Sequence, residues 1–307
     1  MNIKTKILIL GNSSFVRKRV LQSLKKIKNL DITLCSKSSK IHKDNLVFFN
    51  DYKKAINSKP NIVYISLINK LHFKFAKFAL EKNCNVIVDK PIAKNFKLSK
   101  QLVEIAKKKK LLLAEATIFN YHSVYKKIIK IIGGINEITH IQSNFNIPLI
   151  KKISNIKNRD DDALMDMSPY AASMVRIFLK NRYQLSIKKI KYQKTKYVKS
   201  FSIFCKNDHI SYYGNFGTES EYISEVRFFS KKKIITINQQ AFALPSNINI
   251  TVSIKEKNTI KAVKFSKDDA IKNFIQGALR AIKVKNYKMY YNSILADSKF
   301  REELRIK

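Results

Sequence analysis

The residues best placed to do chemistry in this chain stand just after short apolar runs. Gly11 follows Lys6-Ile-Leu-Ile-Leu10 and precedes an amphipathic stretch. A turn of main-chain N–H groups at a helix N-terminus is where a pyrophosphate can be cradled. The dinucleotide fingerprint asks for glycine at 11, 13 and 16; here those positions hold Gly11, Ser13 and Val16. Ser13 is small and can hydrogen-bond, and a plain strand-to-helix turn accounts for the same residues. A second apolar run ends in Cys35-Ser36-Lys37-Ser38. A hydroxyl beside a cation suits the 2′-phosphate of NADP, where an NAD site sets a carboxylate against the ribose hydroxyls. A polar loop in a lysine-rich chain has the same composition. Three further runs end in Asn69-x-x-His72, in Asp89-Lys90-Pro91 and in Glu115.

These groups are positioned by alternating strands and helices. Strands are predicted at Lys6–Leu10, Asp31–Cys35, Leu46–Phe49, Ile62–Leu67, Asn85–Val88 and Leu111–Ala116. Helices are predicted at Ser13–Ile27, Asp51–Asn57, Leu71–Lys82 and Leu98–Lys109. In the first helix Phe15, Val16, Val20, Leu21 and Leu24 share one side. Apolar, mostly non-alternating strands separated by helices indicate a parallel sheet covered on both faces, whose ligands bind at the strands' carboxyl ends. Beyond residue 122 the pattern changes. A helix at Tyr125–Ile132 leads through Gly133-Gly134 to a strand at Glu137–Ile147, and a helical segment follows at Ala163–Leu179. Period-two runs then occur at Gln184–Tyr192, Lys196–Cys205, Ile210–Phe216, Ile223–Phe229, Ile234–Gln240 and Ile248–Ile254, with terminal helices at Asp268–Lys283 and Tyr290–Leu304. The alternating runs read as one antiparallel sheet with a solvated face. The predicted architecture is α/β: a doubly wound Rossmann domain over 1–122, then an α+β domain over 123–307 with a large, mainly antiparallel open sheet.

Length and charge narrow the classes. A chain of 307 residues fits two domains at roughly 150 residues each. Its 61 Lys+Arg against 22 Asp+Glu give a net charge of +39, which invites a nucleic-acid partner. The distribution opposes that: residues 1–150 carry 29 basic and 8 acidic side chains, a balance of +21 that leaves +18 for the remainder. A binding arm or groove concentrates charge, and here it is spread evenly. The dense run Lys107–Lys110 ends a predicted helix, where cations complement the dipole. No zinc-ligand spacing is present, and no metal is expected. Cys35, Cys84 and Cys205 form no disulfide framework, so a reducing compartment, the cytoplasm, is expected. The N-terminal apolar run is too short for a signal-peptide core or a membrane span. No nucleic acid and no membrane are expected as partners.

Taken together, the segments resemble the glucose–fructose oxidoreductase/inositol dehydrogenase family of NAD(P)-dependent sugar oxidoreductases. The resemblance rests on Asn69-Lys-Leu-His72, on Asn85-Val-Ile-Val-Asp89-Lys90-Pro91, and on Leu111-Leu-Leu-Ala-Glu115 leading to Phe119-Asn120-Tyr121-His122. It continues through Ile132-Gly-Gly-Ile-Asn-Glu-Ile138 and through Asp162-Ala-Leu-Met-Asp166-Met-Ser-Pro-Tyr170. The last looks like the family's Ala-Leu-x-Asp-x-Gly-x-(His/Tyr) catalytic segment. Gly214-Asn-Phe-Gly217 and Ala241-Phe-Ala-Leu-Pro245 look most like members that act on nucleotide-linked keto sugars.

The resemblance implies the following roles. Hydride transfer to a carbonyl leaves an alkoxide, which needs a proton donor within hydrogen-bond reach. Tyr170 is the candidate acid and Lys90 the candidate cation, and their roles are interchangeable at this level. Pro91 restricts the peptide after Lys90 and admits a cis bond. Asp166 completes the catalytic set. It lies one helical turn before Tyr170 if the helix is continuous, but Pro169 is better suited to a first helical position with Ser168 as N-cap. The implied cofactor set is Gly11, Asn12, Ser13, Ser14 and Phe15; Ser36 and Lys37; Ser66, Leu67, Asn69 and His72; Asp89 and Lys90; and Glu115. Asn120, His122 and Tyr170 are the implied substrate contacts.

Besides Ser13 and Val16, three departures stand out. Ile68 replaces a frequent proline and Ser168 a glycine, and Asp160-Asp161-Asp162, expected as a solvated loop, replaces a glycine run. Val16 adds bulk where helix and strand meet. The expected activity is NAD(P)H-dependent reduction of a keto group on a nucleotide-linked sugar, with NADP(H) favoured over NAD(H). The alternatives are a dehydrogenase of a free sugar, polyol or dihydrodiol, and a dinucleotide-binding homologue without catalysis. A homodimer or homotetramer through the open face of the second sheet is implied.

Overall fold

Ile62-Val63-Tyr64-Ile65 is buried at every residue, as befits a strand covered on both faces. It is β4 of a six-stranded sheet made by β1 (Thr5–Leu10), β2 (Leu30–Cys35), β3 (Val47–Phe49), β4, β5 (Asn85–Asp89) and β6 (Leu113–Ala116). The order is β3-β2-β1-β4-β5-β6, and every pairing is parallel. The chain reverses its direction of winding between β1 and β4, the switch point at which ligands of such sheets bind. The crossovers carry helices α1 (Leu21–Leu24), α2 (Tyr52–Asn57), α3 (Asn69–Glu81) and α4 (Phe96–Lys109). In α4 the Asn95 side chain accepts from Leu98 N at 3.0 Å, and Lys110 ends the helix in the left-handed region at φ 54°. The computed structural model describes residues 4–37, 47–148, 162–180, 182–218 and 220–307; the readings at Ser38, Leu46, Asp160 and Asp161 lie outside them.

The second sheet comprises β7 (Ile138–Ile147), β8 (Gln184–Lys191), β9 (Val198–Lys206), β10 (Ser211–Thr218), β11 (Ile223–Ser230), β12 (Lys233–Ile237), β13 (Ile250–Glu256) and β14 (Thr259–Phe265). Its order is β14-β13-β12-β11-β7-β10-β9-β8. All pairings are antiparallel except β7 with β10. Helices α5 (Ser123–Ile132) and α6 (Ala163–Phe178) share one core with its inner face, built from Ile128, Met167, Val175, Phe201, Phe216 and Phe228 among others. Two terminal helices follow, α7 (Ala270–Lys283) and α8 (Lys288–Ile306).

Two compact units result. The first is Met1–Thr117 with Ile271–Ser298, and the second is Ile118–Ala270 with Lys299–Lys307. The division thus falls a few residues before 122, and α7 with most of α8 returns to the first unit. There Tyr291 donates its hydroxyl to the Leu111 carbonyl, a tie that no local sequence pattern announces.

Three expectations are corrected. Pro169 lies inside α6, not at its start. Asp162 is the N-cap, accepting from Met165 N at 2.9 Å and also from Val198 N on β9 at 2.9 Å, so it is no solvated loop residue. Its cap outcompetes Ser168, and the five residues before Ser168 wind as helix. Phe15 is 40% exposed while Val16, Val20 and Leu24 are fully buried, so Phe15 is off the apolar side. Finally, β14 was not foreseen. Its residues are mostly exposed, and its lysines blunt a sheet edge while hiding the alternation.

Candidate functional site

Gly11 sets the geometry at the switch point. Its φ is +106°, and a Cβ there would run into the Ser66 carbonyl at the end of β4. Only glycine lets the two strand ends approach this closely without a side chain between them. This is a cradle of bare main chain, the feature a dinucleotide pyrophosphate requires. Beyond it Ser13 Oγ accepts from Val16 N at 3.2 Å, and Arg17 donates to the Asn12 carbonyl. Ser13, Ser14 and Phe15 are exposed at this helix start. The buried Val16 stands where a glycine was wanted, and over Val16–Val20 the helix takes the wider π winding, with Leu21 N–H on the Val16 carbonyl. The added bulk is accommodated by helix geometry at a place where π turns recur in functional sites.

At the end of β2, Ser36 is buried and its N–H donates to the Phe49 carbonyl at 2.9 Å. Lys37 is exposed, with Nζ 5.6 Å from the centre of the Tyr52 ring. The cation is therefore the accessible partner at this position. Burial, then the Asp51 charge, pushes the Cys35 thiol up to about 12, against the pull of Lys37, so this cysteine is inert.

The segment Asp89-Lys90-Pro91 leaves β5 with a cis peptide between Lys90 and Pro91, and its neighbours hold it on several sides. His72 Nδ1 lies 2.8 Å from the Pro91 carbonyl, and Nε2 lies 2.9 Å from the Leu67 carbonyl. Both bonds form only when both ring nitrogens carry protons. His72, implied as a cofactor contact, thus straps the loop after β4 to the loop after β5. Glu115 Oε2 accepts from Ile92 N at 2.8 Å. Asp89 receives the Tyr64 hydroxyl on Oδ1 at 2.6 Å and the Ser66 hydroxyl on Oδ2. Burial raises the Asp89 carboxyl; the Ser66 and Tyr64 hydroxyls and the charges of His72 and Lys90 oppose that rise. Tyr64 was not singled out from sequence. Its signal was a hydroxyl in an otherwise apolar, fully buried strand. Asn69 opens α3, behind the exposed Ile68 that replaces the frequent proline.

In the second unit, α6 is continuous from Ala163 to Phe178, which puts Asp166 and Tyr170 one turn apart. The Tyr170 ring is walled by Phe119, Phe145 and Phe242, with centroids at 5.8, 5.0 and 5.5 Å. Asn120 donates to Ser173 Oγ, which also receives Arg176 at 2.9 Å. His122 caps α5, its Nδ1 accepting from Val124 N at 3.2 Å, which places the neutral ring's proton on Nε2. Burial lowers its proton affinity, with Asp268 opposing. Asn120 Oδ1 and His122 Nε2 are buried without a hydrogen-bond partner among the described residues. A buried acceptor and a buried donor left unmatched are costly unless a ligand or water completes them. They are the two residues implied as substrate contacts in this turn.

A doubly wound parallel sheet with a glycine cradle at its switch point, followed by a unit built on an open mixed sheet, is a two-unit architecture whose first unit suits a dinucleotide. Residues 6–117 match the model of the oxidoreductase family with an NAD-binding Rossmann fold. Over 301 residues it is 21% identical to dTDP-3,4-didehydro-2,6-dideoxy-alpha-D-glucose 3-reductase of Saccharopolyspora spinosa, covering 92% of this chain and 89% of that protein. Over 121 residues it is 25% identical to D-xylose 1-dehydrogenase (NADP(+)) 2 of Haloferax volcanii, covering 38% of this chain and 37% of that one. Its fold matches KijD10, a 3-ketoreductase from Actinomadura kijaniata in complex with NADP and TDP-benzene. The TM-score is 0.90 at 17% identity, covering 99% of this chain and 97% of that one. Among the described residues no helix is long and apolar enough to cross a membrane.

Proposed function

We propose that the protein is a cytoplasmic NADP(H)-dependent reductase of a keto group on a nucleotide-linked sugar. The observation that carries this reading is the Gly11 cradle against the Ser66 carbonyl, with Asp89-Lys90-Pro91 held at the end of the neighbouring strand. A bound nicotinamide dinucleotide supplies the hydride. The chain supplies the remainder: Lys90 holds the substrate oxygen as a hydrogen-bonding cation, and the Tyr170 phenol delivers the proton. The aromatic wall around Tyr170 keeps its ring from turning away. Asp166, a turn earlier on α6, orients the same substrate region. Asn120 and His122 Nε2 offer an acceptor and a donor to sugar hydroxyls. The exposed Lys37 takes the 2′-phosphate, which favours NADP(H).

Self-association through the open face of the second sheet belongs to the same reading. Copies of a chain with net charge +39 repel one another, so they must meet where lysine is scarce. The strands β7, β10 and β11 contain no lysine, and the open face presents Tyr213 of β10 and its cross-strand neighbour Phe204 of β9 at 36% and 41% exposure. Sedimentation of wild type and Tyr213→Lys tests this: a dimer or larger that dissociates in the variant supports it, and a monomeric wild type overturns it.

The activity is tested with NADPH and dTDP-3,4-didehydro-2,6-dideoxy-α-D-glucose, then with free sugars. Tyr170→Phe and Lys90→Ala each lower kcat by about 100-fold or more if they manage the proton. NADPH binding with no turnover and no effect of Tyr170→Phe on any keto sugar defeats the enzyme reading. Turnover of free sugars alone moves the substrate to the dehydrogenase class. Lys37→Ala weakens NADPH more than NADH; equal losses refute the cofactor preference.

A further inference from the structure

Tyr64 lies within β4, fully buried and level with Ile87 of β5. Phenylalanine would fill the same space, and a buried hydroxyl costs free energy unless it is matched. Here it is matched by one group, Asp89 Oδ1, at 2.6 Å. Ser66 stands two residues further along the same strand direction, on the same side, and donates to Oδ2. β4 and the residue that follows it thus place one hydroxyl donor on each oxygen of a carboxylate at the end of β5. A carboxylate that accepts at both oxygens cannot rotate, and both bonds favour its ionised form.

The residue after this fixed anion is Lys90. On its other side, Pro91 is tied through its carbonyl to His72, and Ile92 through its N–H to Glu115. Lys90 therefore leaves a main chain that is held immediately before and after it, beside a charge that does not move. We propose that Tyr64 is a positioning residue for Lys90, acting through the Asp89 carboxylate that it and Ser66 immobilise. This rests on the proposed function only for its bearing on turnover.

Lysine-by-lysine acetylation of the full-length protein with acetic anhydride, read by peptide mass spectrometry, tests the inference without substrate. Lys94 and Lys97 in the same molecule serve as references. Releasing the anion lowers the hold on the Lys90 ammonium, so Tyr64→Phe raises its relative labelling rate by about threefold or more. An unchanged relative rate overturns the proposal. If Tyr64→Phe does not fold, Ser66→Ala removes the other donor and is read in the same way.

Turnover supplies the second readout through a double-mutant cycle. Tyr64→Phe lowers kcat with little change in KM in the wild type, and lowers it no further in a Lys90→Ala background. Equal losses in the two backgrounds overturn the positioning role. A Lys90→Ala variant with normal turnover instead defeats the proposed function, while the labelling result still decides whether Tyr64 governs Lys90.

Discussion

In the first unit the candidate residues hang from the carboxyl ends of different parallel strands, and main chain does most of the holding. Gly11 abuts the Ser66 carbonyl, His72 straps two loops by their carbonyls, and Glu115 takes the Ile92 N–H. In the second unit Asp166 and Tyr170 ride on one helix, fixed by its Asp162 cap and by surrounding rings. The first arrangement is brittle, because each strand end has one steric solution. The second spreads its support over many apolar contacts, so single changes are absorbed more easily.

That contrast can be broken by measurement. The largest effect is expected at Gly11, where Gly11→Ala adds a clash with a carbonyl to an unfavourable backbone angle and costs about 3 kcal/mol or more. Urea unfolding measures it, and a loss below about 1 kcal/mol would mean the strand ends can separate freely. Asp162→Ala removes a cap and strands the Val198 N–H on β9, for about 2 kcal/mol. A loss as large as that at Gly11 would erase the distinction between the units.

A pH effect isolates His122. Burial keeps its folded-state proton affinity below the ordinary value, so the unfolded chain takes the proton first as pH falls through about 6.5. The stability contributed by the neutral ring is present above that pH and is lost below it. His122→Asn keeps a capping side chain, so its urea midpoint falls less between pH 7.5 and 5.5 than the wild type's. Equal falls would show that His122 does not titrate differently on unfolding. The smallest effect is expected at Lys100, whose pairing with Glu104 at 3.9 Å leaves both side chains about 60% exposed. Lys100→Ala changes stability by less than about 0.5 kcal/mol.

Much of the frame was legible because it is local. Apolar runs such as Ile62–Ile65 announce buried strands, and Asn95 and Gly133 mark helix ends. Errors arose where local signals competed or were weak. Pro169 has the look of a helix start, yet the Asp162 cap with its second bond to β9 fixed the start earlier. The strand β14 hid because an edge exposes both faces. Phe15 fits the apolar periodicity but stands exposed at the start of the helix, ahead of its π winding.

The sequence by itself determined most of the elements, and it placed Gly11 and Lys90 at strand ends and Tyr170 on a helix, because helix caps and strand periodicity act over a few residues. It also fixed the even spread of positive charge. Only the tertiary structure decided that the Tyr64 and Ser66 hydroxyls meet Asp89, that His72 joins two loops, and that α7 returns to the first unit. Those are contacts between residues distant in the chain. They depend on strand order and register, which no local pattern encodes.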